Sequence, residues 1–240
     1  SIGRDHLPTR PHPRVVVISA GPDLVEPGTP LKDDEEYETN SWLLTTAVRE
    51  VGAVAYRVHS IPDDEEELQK VIEDQLVRAD LIVISGERND DSFDLITRTL
   101  QKMGEITTLN PAIENSGRHN FGQIGPDKTP VVTLPGDPIN AYISFELFVR
   151  PMIRTMLGVA TIHRPSVKAK LEKSITSTPG TRSYIRAILS EDASSVRALE
   201  IQDEISTLSD ANSFIALSEK DEKIEAGTSV NVVVLERRYI

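Results

Sequence analysis

Arg14-Val-Val-Val-Ile-Ser19 places Val15, Val16, Val17 and Ile18 in an unbroken branched apolar run, which then turns at Ala20-Gly21-Pro22. A strand with one wet face alternates apolar and polar residues, so a continuous run predicts a strand covered on both faces. Leu81-Ile-Val-Ile-Ser85 repeats the pattern, and Val54 to Val58 supplies another strand between them. The intervening segments have helical period. Asn40 or Ser41 can cap a helix whose stripe is Leu43, Leu44, Ala47, Val48 and Val51, with Gly52 as a left-handed stop. Asp63 and Asp64 suit a helix N-terminus and are followed by Leu68, Ile72, Leu76 and Ala79. Beyond the polar loop Gly86 to Asp91, Phe93, Ile96, Leu100 and Met103 mark a further helix, closed by Gly104. This βαβαβα alternation predicts parallel strands with right-handed crossovers and helices on both sides of the sheet.

Working outward, Ile106 to Leu109, Phe121 to Ile124 and Val131 to Leu134 are short strand candidates, read as a parallel strand and a hairpin. Asp137-Pro138 combines an N-cap with a proline at the first helical position, opening a helix through Tyr142, Phe145, Phe148 and Val149. Pro151 is expected to kink it before Gly158 ends it. Past Ile162-His-Arg-Pro165 the period becomes alternating, in Val167 to Ile175, Ser183 to Leu189, Val196 to Ile201, Phe214 to Leu217 and Val230 to Leu235. Such short, turn-separated runs describe a small barrel or sandwich. The fold class is therefore α/β: a three-layer, mostly parallel sheet domain over residues 14–160, followed by a small C-terminal all-β barrel-like domain over 161–240. Pro8, Pro11 and Pro13 hold residues 1–13 extended, as a linker entering from something upstream.

The net charge of −12 repels phosphate backbones and anionic lipid, and no basic patch offsets it, so nucleic acid and membrane insertion are not expected. The runs Asp33 to Glu36 and Asp63 to Glu67 read as solvated loops or helix starts. Absence of cysteine removes disulfides and thiolate metal sites and fits a reducing compartment, with the cytoplasm as the default. His6, His12, His59, His119 and His163 lack metal-ligand spacing and read as surface or core residues.

Ligands of an open parallel sheet lie beyond the carboxyl ends of its strands. The loops to inspect are Ser19 to Leu24, Ser85 to Asp91 and Leu134-Pro-Gly-Asp-Pro138. Ser85-Gly86 and Pro135-Gly136-Asp137 combine small residues with a helix start, which can offer backbone N–H groups to an anion, although glycine and proline also serve simply to turn the chain. Neither the dinucleotide-binding glycine fingerprint nor the Walker motif occurs.

Read together, Leu24-Val-Glu-Pro-Gly-Thr-Pro-Leu31, Thr39-Asn-Ser41, Pro62-Asp-Asp64, Arg78-Ala-Asp-Leu-Ile-Val-Ile-Ser-Gly86 and Leu134-Pro-Gly-Asp-Pro138 resemble the molybdopterin molybdotransferase family, which includes the gephyrin E domain. The resemblance implies the family's central α/β subdomain to about Gly158, then its C-terminal β subdomain, with two preceding subdomains missing. It further implies a dimer that inserts molybdate into adenylylated molybdopterin with a magnesium-type ion.

Departures fall on the loops that carry that chemistry. The family's Ser-Thr-Gly-Asp/Asn-Glu-Leu is Ser19-Ala-Gly-Pro-Asp-Leu24 here, so Asp23 stands for the glutamate. Its Asp-Ser/Thr-Asn is Glu38-Thr39-Asn40, which moves a candidate metal ligand outward, a shift magnesium tolerates poorly. Glu87 and Asp91 replace glycines, Asp94 is kept, and Asn115-Ser-Gly-Arg118, with Glu114 beside it, replaces Pro-Gly-Lys-Pro, leaving Arg118 as a partial substitute for the lysine. The remnant catalytic candidates are Asp23, Glu38, Asp94 and Arg118, with Glu38 and Asp94 as the metal candidates. The added carboxylates favour a degenerate scaffold with no cofactor, one that binds a cytosolic partner's tail peptide. By resemblance to gephyrin-like division adaptors that tail is the FtsZ tail, with Tyr184 of Arg182-Ser-Tyr-Ile-Arg186 as the contact. The alternative is an active molybdopterin molybdenumtransferase using magnesium and molybdopterin, homodimeric at full length, and a structural remnant comes third.

Overall fold

A computed structural model describes residues 3, 5, 6, 9–21, 24–33, 35–60, 64–87, 90–200 and 205–235. In chain order the strands are β1 (Arg14–Ala20), β2 (Leu24–Val25), β3 (Glu36–Tyr37), β4 (Val54–Ser60), β5 (Leu81–Glu87), β6 (Gly104–Leu109), β7 (His119–Ile124) and β8 (Thr129–Pro135), then β9 (Ser166–Leu171), β10 (Ile175–Thr176), β11 (Ser183–Leu189), β12 (Ser195–Ala198), β13 (Ser213–Leu217), β14 (Lys223–Ile224) and β15 (Ser229–Val234). The helices are α1 (Asn40–Val51), α2 (Glu65–Leu76), α3 (Asp90–Met103), α4 (Pro138–Ser144), α5 (Arg150–Met156) and α6 (Ser206–Asp210), with a π-helical turn at Phe145–Val149.

The main sheet has the order β4-β1-β5-β8-β7-β6. β4, β1, β5 and β8 run parallel, and β7 and β6 are antiparallel additions. The apolar runs explain the layering. Val15 and Val17 of β1, Leu81 and Val83 of β5, and Val132 and Leu134 of β8 point to one side, against α1, α4 and α5. Val16, Ile18, Ile82, Ile84 and Val131 point to the other, against α2 and α3. Alternation along a strand sends neighbours to opposite faces, so a strand between two helical layers has no polar position to spare. Burying each such side chain contributes on the order of 1.5–3 kcal/mol.

The structure refines several sequence expectations. Residues 104–135 form one parallel strand, β8, preceded by antiparallel β6 and β7, so two hairpins follow one another. Gly104 opens β6 instead of stopping α3 in a left-handed turn. A Cβ there would lie 2.0 Å from the Gln123 carbonyl oxygen, so the glycine lets two strands approach. The single strand expected over Val167 to Ile175 divides into β9 and the separate β10, which pairs with β14. Ile201, Pro62 and Asp63 lie outside the described residues. Pro151 acts upstream of itself. It cannot donate to the Leu147 carbonyl, and the preceding turn widens, with the Arg150 N–H bonding back to the Phe145 carbonyl.

The C-terminal strands close into a barrel of order β11-β12-β9-β15-β13, filled by Leu171, Leu189, Ile215, Leu217 and Val232. It docks on the helical layer through Ile139, Ile143, Phe214 and Leu235. Beside this apolar contact lies a buried ion cluster. Arg164, 4% exposed, donates from Nε and Nη2 to the two oxygens of Glu146 at 2.8 Å each. It also donates from Nη1 to the Leu235 carbonyl at 2.6 Å and from Nη2 to Glu50 at 3.0 Å. Burial with Glu146 pushes the Tyr142 hydroxyl above its ordinary pKa. Removing Arg164 takes the two-bond fork from the buried Glu146 carboxylate and leaves it Arg150, whose Nε stands 3.7 Å away without a hydrogen bond to it. Arg164→Met is therefore expected to lower stability by roughly 3–5 kcal/mol, read as a drop in the urea midpoint at unchanged slope.

Candidate functional site

β1 is joined through α1 to β4 on one side, and the chain then returns through α2 to β5 on the other. The direction of winding reverses between β1 and β5, which opens a crevice beyond their carboxyl ends. Ser19 and Ser85 face each other there in register. A cleft of about 80 Å³ at this point is lined by Ser19, Leu24, Glu36, Tyr37, Glu38, Thr39, Asn40, Gly86, Gly136 and Pro138.

Its floor is organised by Asn40. The Asn40 side-chain nitrogen donates to the Ser85 hydroxyl at 2.8 Å and to the Gly136 carbonyl at 2.7 Å, and the Ser85 hydroxyl donates to the Pro135 carbonyl at 2.9 Å. Both carbonyls accept only, so the serine must accept from Asn40, and both amide hydrogens of Asn40 are consumed. That fixes the amide orientation and leaves Asn40 Oδ1 as the remaining group. Among the described residues, neither Asn40 Oδ1 nor Ser19 Oγ, both buried, has a hydrogen-bond partner. Asn40 is 6% and Ser19 1% exposed. A buried polar atom without a partner carries a desolvation cost of about 1–3 kcal/mol. The cleft thus holds one unmet acceptor, Asn40 Oδ1, and one unmet hydroxyl, Ser19 Oγ, which can donate or accept.

Gly86 sits at a bulge in β5 with φ +142°, where a Cβ would lie 1.7 Å from the Ala20 carbonyl oxygen. Its primary task is the close approach of β5 to β1 at the cleft rim. Asp137 is occupied as the N-cap of α4, accepting from the Asn140 N–H at 2.9 Å.

The helix cap of α1 differs from expectation. The N-cap is Thr39, whose side chain makes no capping bond, and the carboxylate of Glu38 does the work, accepting from the Ser41 N–H at 2.7 Å and from the Ser41 hydroxyl. Glu38 is also bridged by Arg57, 3.5 Å away. Asp94 and Arg118 pair with each other at 3.5 Å, Arg118 also stacks over Phe93 at 4.0 Å, and neither lines the cleft. Glu114 turns to the barrel, where the Thr178 hydroxyl donates to it at 2.7 Å. Asp91 is exposed and outside the cleft lining, whereas Asp23, Arg88, Asn89 and the Glu87 side chain lie outside the described residues. Among the described residues no three His, Asp or Glu side chains converge as a metal site requires. Glu38 and Asp94, the two metal candidates, belong to separate arginine pairs and do not fit a shared magnesium ion, which needs near-octahedral oxygen donors.

No motif or spacing marks His119 as the anchor of the 115–118 loop. It is fully buried. Its Nδ1–H donates to the Thr133 carbonyl at 2.9 Å, so Nε2 accepts from the Ser116 hydroxyl at 2.7 Å. Burial lowers its pKa, partly opposed by that carbonyl. Tyr184 is half-buried on β11 and packs on the cluster of Ile139, Ile143, Phe214 and Leu235.

Two family models match the chain: a probable molybdopterin binding domain over residues 16–155 and the MoeA C-terminal region, domain IV, over 168–235. The chain belongs to the MoeA family. Molybdopterin molybdenumtransferase 2 of Mycobacterium tuberculosis is 32% identical over 97% of this MoeA-family chain, which spans 59% of that relative. The Bacillus subtilis molybdopterin molybdenumtransferase is 25% identical over 98% of it and is spanned to 55%. A crystal structure of the Pyrococcus horikoshii molybdopterin biosynthesis MoeA protein superposes on 94% of the chain, and on 55% of its own, with a TM-score of 0.79 at 27% identity. The chain thus spans little more than half of the relatives it matches.

Two measurements test this geometry. Ser19→Ala removes an unpartnered buried hydroxyl, so thermal unfolding should show a midpoint equal to or above wild type, where most buried polar deletions lower it. For His119 the unfolded imidazole protonates near 6.5, while the folded one resists protonation to lower pH. The unfolded state therefore binds more protons below that point, and stability falls as pH drops through it, levelling off below the folded pKa. Urea midpoints between neutral and mildly acidic pH should decline in wild type, and the decline should shrink in His119→Gln.

Proposed function

We propose that this chain is the molybdopterin-binding part of a molybdopterin molybdenumtransferase, acting in the cytoplasm. The observation that carries the reading is the pair of unpartnered buried atoms, Asn40 Oδ1 and Ser19 Oγ, at the switch point of a MoeA-family sheet. Asn40 Oδ1 can only accept, so it suits the N–H-bearing edge of a pterin better than a phosphate oxygen. Relatives named molybdopterin molybdenumtransferase, aligned along nearly the whole chain, support the same reading.

The case for a non-catalytic scaffold rested on the added carboxylates Glu87 and Asp91; Asp91 is exposed and outside the cleft lining, the Glu87 side chain lies outside the described residues, and three further loop carboxylates are otherwise engaged. Glu38 is neutralised by Arg57 and the start of α1, Asp94 by Arg118, and Glu114 is turned to the barrel. An apolar groove of about 360 Å³ does lie between α1, α4 and α6, lined by Leu43, Ala47, Tyr142, Ile205 and Leu208. Tyr184, the residue expected to meet an FtsZ tail, is not in its lining. The comparisons favour the transferase over that scaffold.

The test is titration of the protein with molybdopterin, followed by pterin fluorescence. Wild type should bind saturably. Ser19→Ala should bind about 3- to 10-fold more weakly, the range of one neutral hydrogen bond. Absence of binding by the folded wild-type protein overturns the proposal.

A further inference from the structure

The magnesium-type ion implied by the family's reaction finds no donor set among the described residues, and the side chain beside Glu38 accounts for this. Arg57 projects from β4. Its Nη2 donates to Glu26 Oε1 at 2.6 Å, and its Nη1 donates to the Ser41 hydroxyl at 3.2 Å and lies 3.5 Å from Glu38 Oε2. The guanidinium plane stacks over Trp42 at 4.0 Å. The Glu38 carboxylate is 0% exposed, and a carboxylate at that depth needs a compensating cation.

We infer that Arg57 stands where a divalent cation would otherwise neutralise Glu38 and, by gripping Glu26 at the same time, holds the arm of residues 24–38 against the cleft. The arm begins and ends at the site. Leu24 and Val25 pair with Glu36 and Tyr37, the Glu38 N–H donates to the Val25 carbonyl at 2.8 Å, and Leu24, Glu36, Tyr37 and Glu38 all line the cleft. Glu26 lies on the outgoing half of this arm and Glu38 at its return, so one guanidinium ties both halves to the sheet. A planar fork suits this task. It bonds two carboxylates in different directions and stacks on an indole, which a lysine ammonium cannot reproduce as a set. An exchangeable ion would make closure of the arm depend on its concentration, whereas a covalently attached cation does not. Arg57 is in this sense a positioning residue, acting on substrate through the arm.

The inference rests on the proposed ligand site, yet its test contains no pterin, so each can fail without the other. Hydrogen exchange of peptides covering residues 24–38 and Mn²⁺ binding followed by electron paramagnetic resonance are measured on wild type, Arg57→Gln, Arg57→Lys and Glu26→Gln. Wild type should protect the arm and bind no Mn²⁺ in the millimolar range. Arg57→Gln should exchange the arm at least about tenfold faster and acquire Mn²⁺ binding, because Glu38 and Glu26 then lack their cation. Arg57→Lys should keep Mn²⁺ out while protecting the arm only in part. Glu26→Gln separates the two tasks: faster arm exchange, still without Mn²⁺. Mn²⁺ bound by wild type as tightly as by Arg57→Gln, or an arm equally protected in Arg57→Gln, overturns the inference.

Discussion

Both faces of β1 are closed to water, and its seven residues pair on one edge with β4, while Val15 to Ser19 pair on the other with β5. A strand so placed has only its ends available for function. Its amino end enters from the surface at Arg14, which forks onto Asp80 and holds that carboxyl below its ordinary range. Its carboxyl end delivers Ser19 into the crevice where the winding of the sheet reverses. The position of the cleft follows from the burial of the strand, because no other arrangement exposes a polar side chain of β1 to a ligand without opening the core.

Hydrogen-bond supply and demand then set the character of the cleft. Two acceptor-only carbonyls, from Pro135 and Gly136, impose an orientation on Ser85 and Asn40, and the oxygen left over defines what can bind. The Asn40 oxygen can only accept, while the Ser19 hydroxyl beside it keeps a donor as well as acceptor capacity. Charge is handled separately: Glu38 is paired with Arg57 and the start of α1, and Asp137 caps α4.

The layered fold was legible because it rests on period and run length. The four apolar residues after Arg14 and the four after Asp80 were enough to place two central strands, and the change of period after Ile162 announced the barrel. The site was legible in outline, through the loops at Ser19, Ser85 and Gly136, but the roles of single side chains were not. Glu38 looked like an outward-moved metal ligand because a sequence shows charge without direction; folding turns it onto the Ser41 N–H and Arg57. Asp94 and Arg118 are 24 positions apart and showed no sign of pairing. Arg57 had no motif around it, since its carboxylate partners come from an irregular arm and its other contacts, Ser41 and Trp42, from the first turn of α1. Asn40 was recognised as a capping residue by type, yet the cap falls one residue earlier and the amide reaches across to β5 and β8.

The long helical segment from Pro138 to Met156 serves two cores at once. Phe145, Val149 and Ile153 lock it to the sheet, and Ile139 and Ile143 lock it to the barrel. The π-helical turn above Pro151 resets the phase between those two sets, and the first residue of the segment, Pro138, forms part of the cleft wall. The segment is thus a shaft with a coupling at each end. One continuous helical rod therefore carries both the docking face of the barrel and, just ahead of its first turn, the Gly136 carbonyl that Asn40 holds.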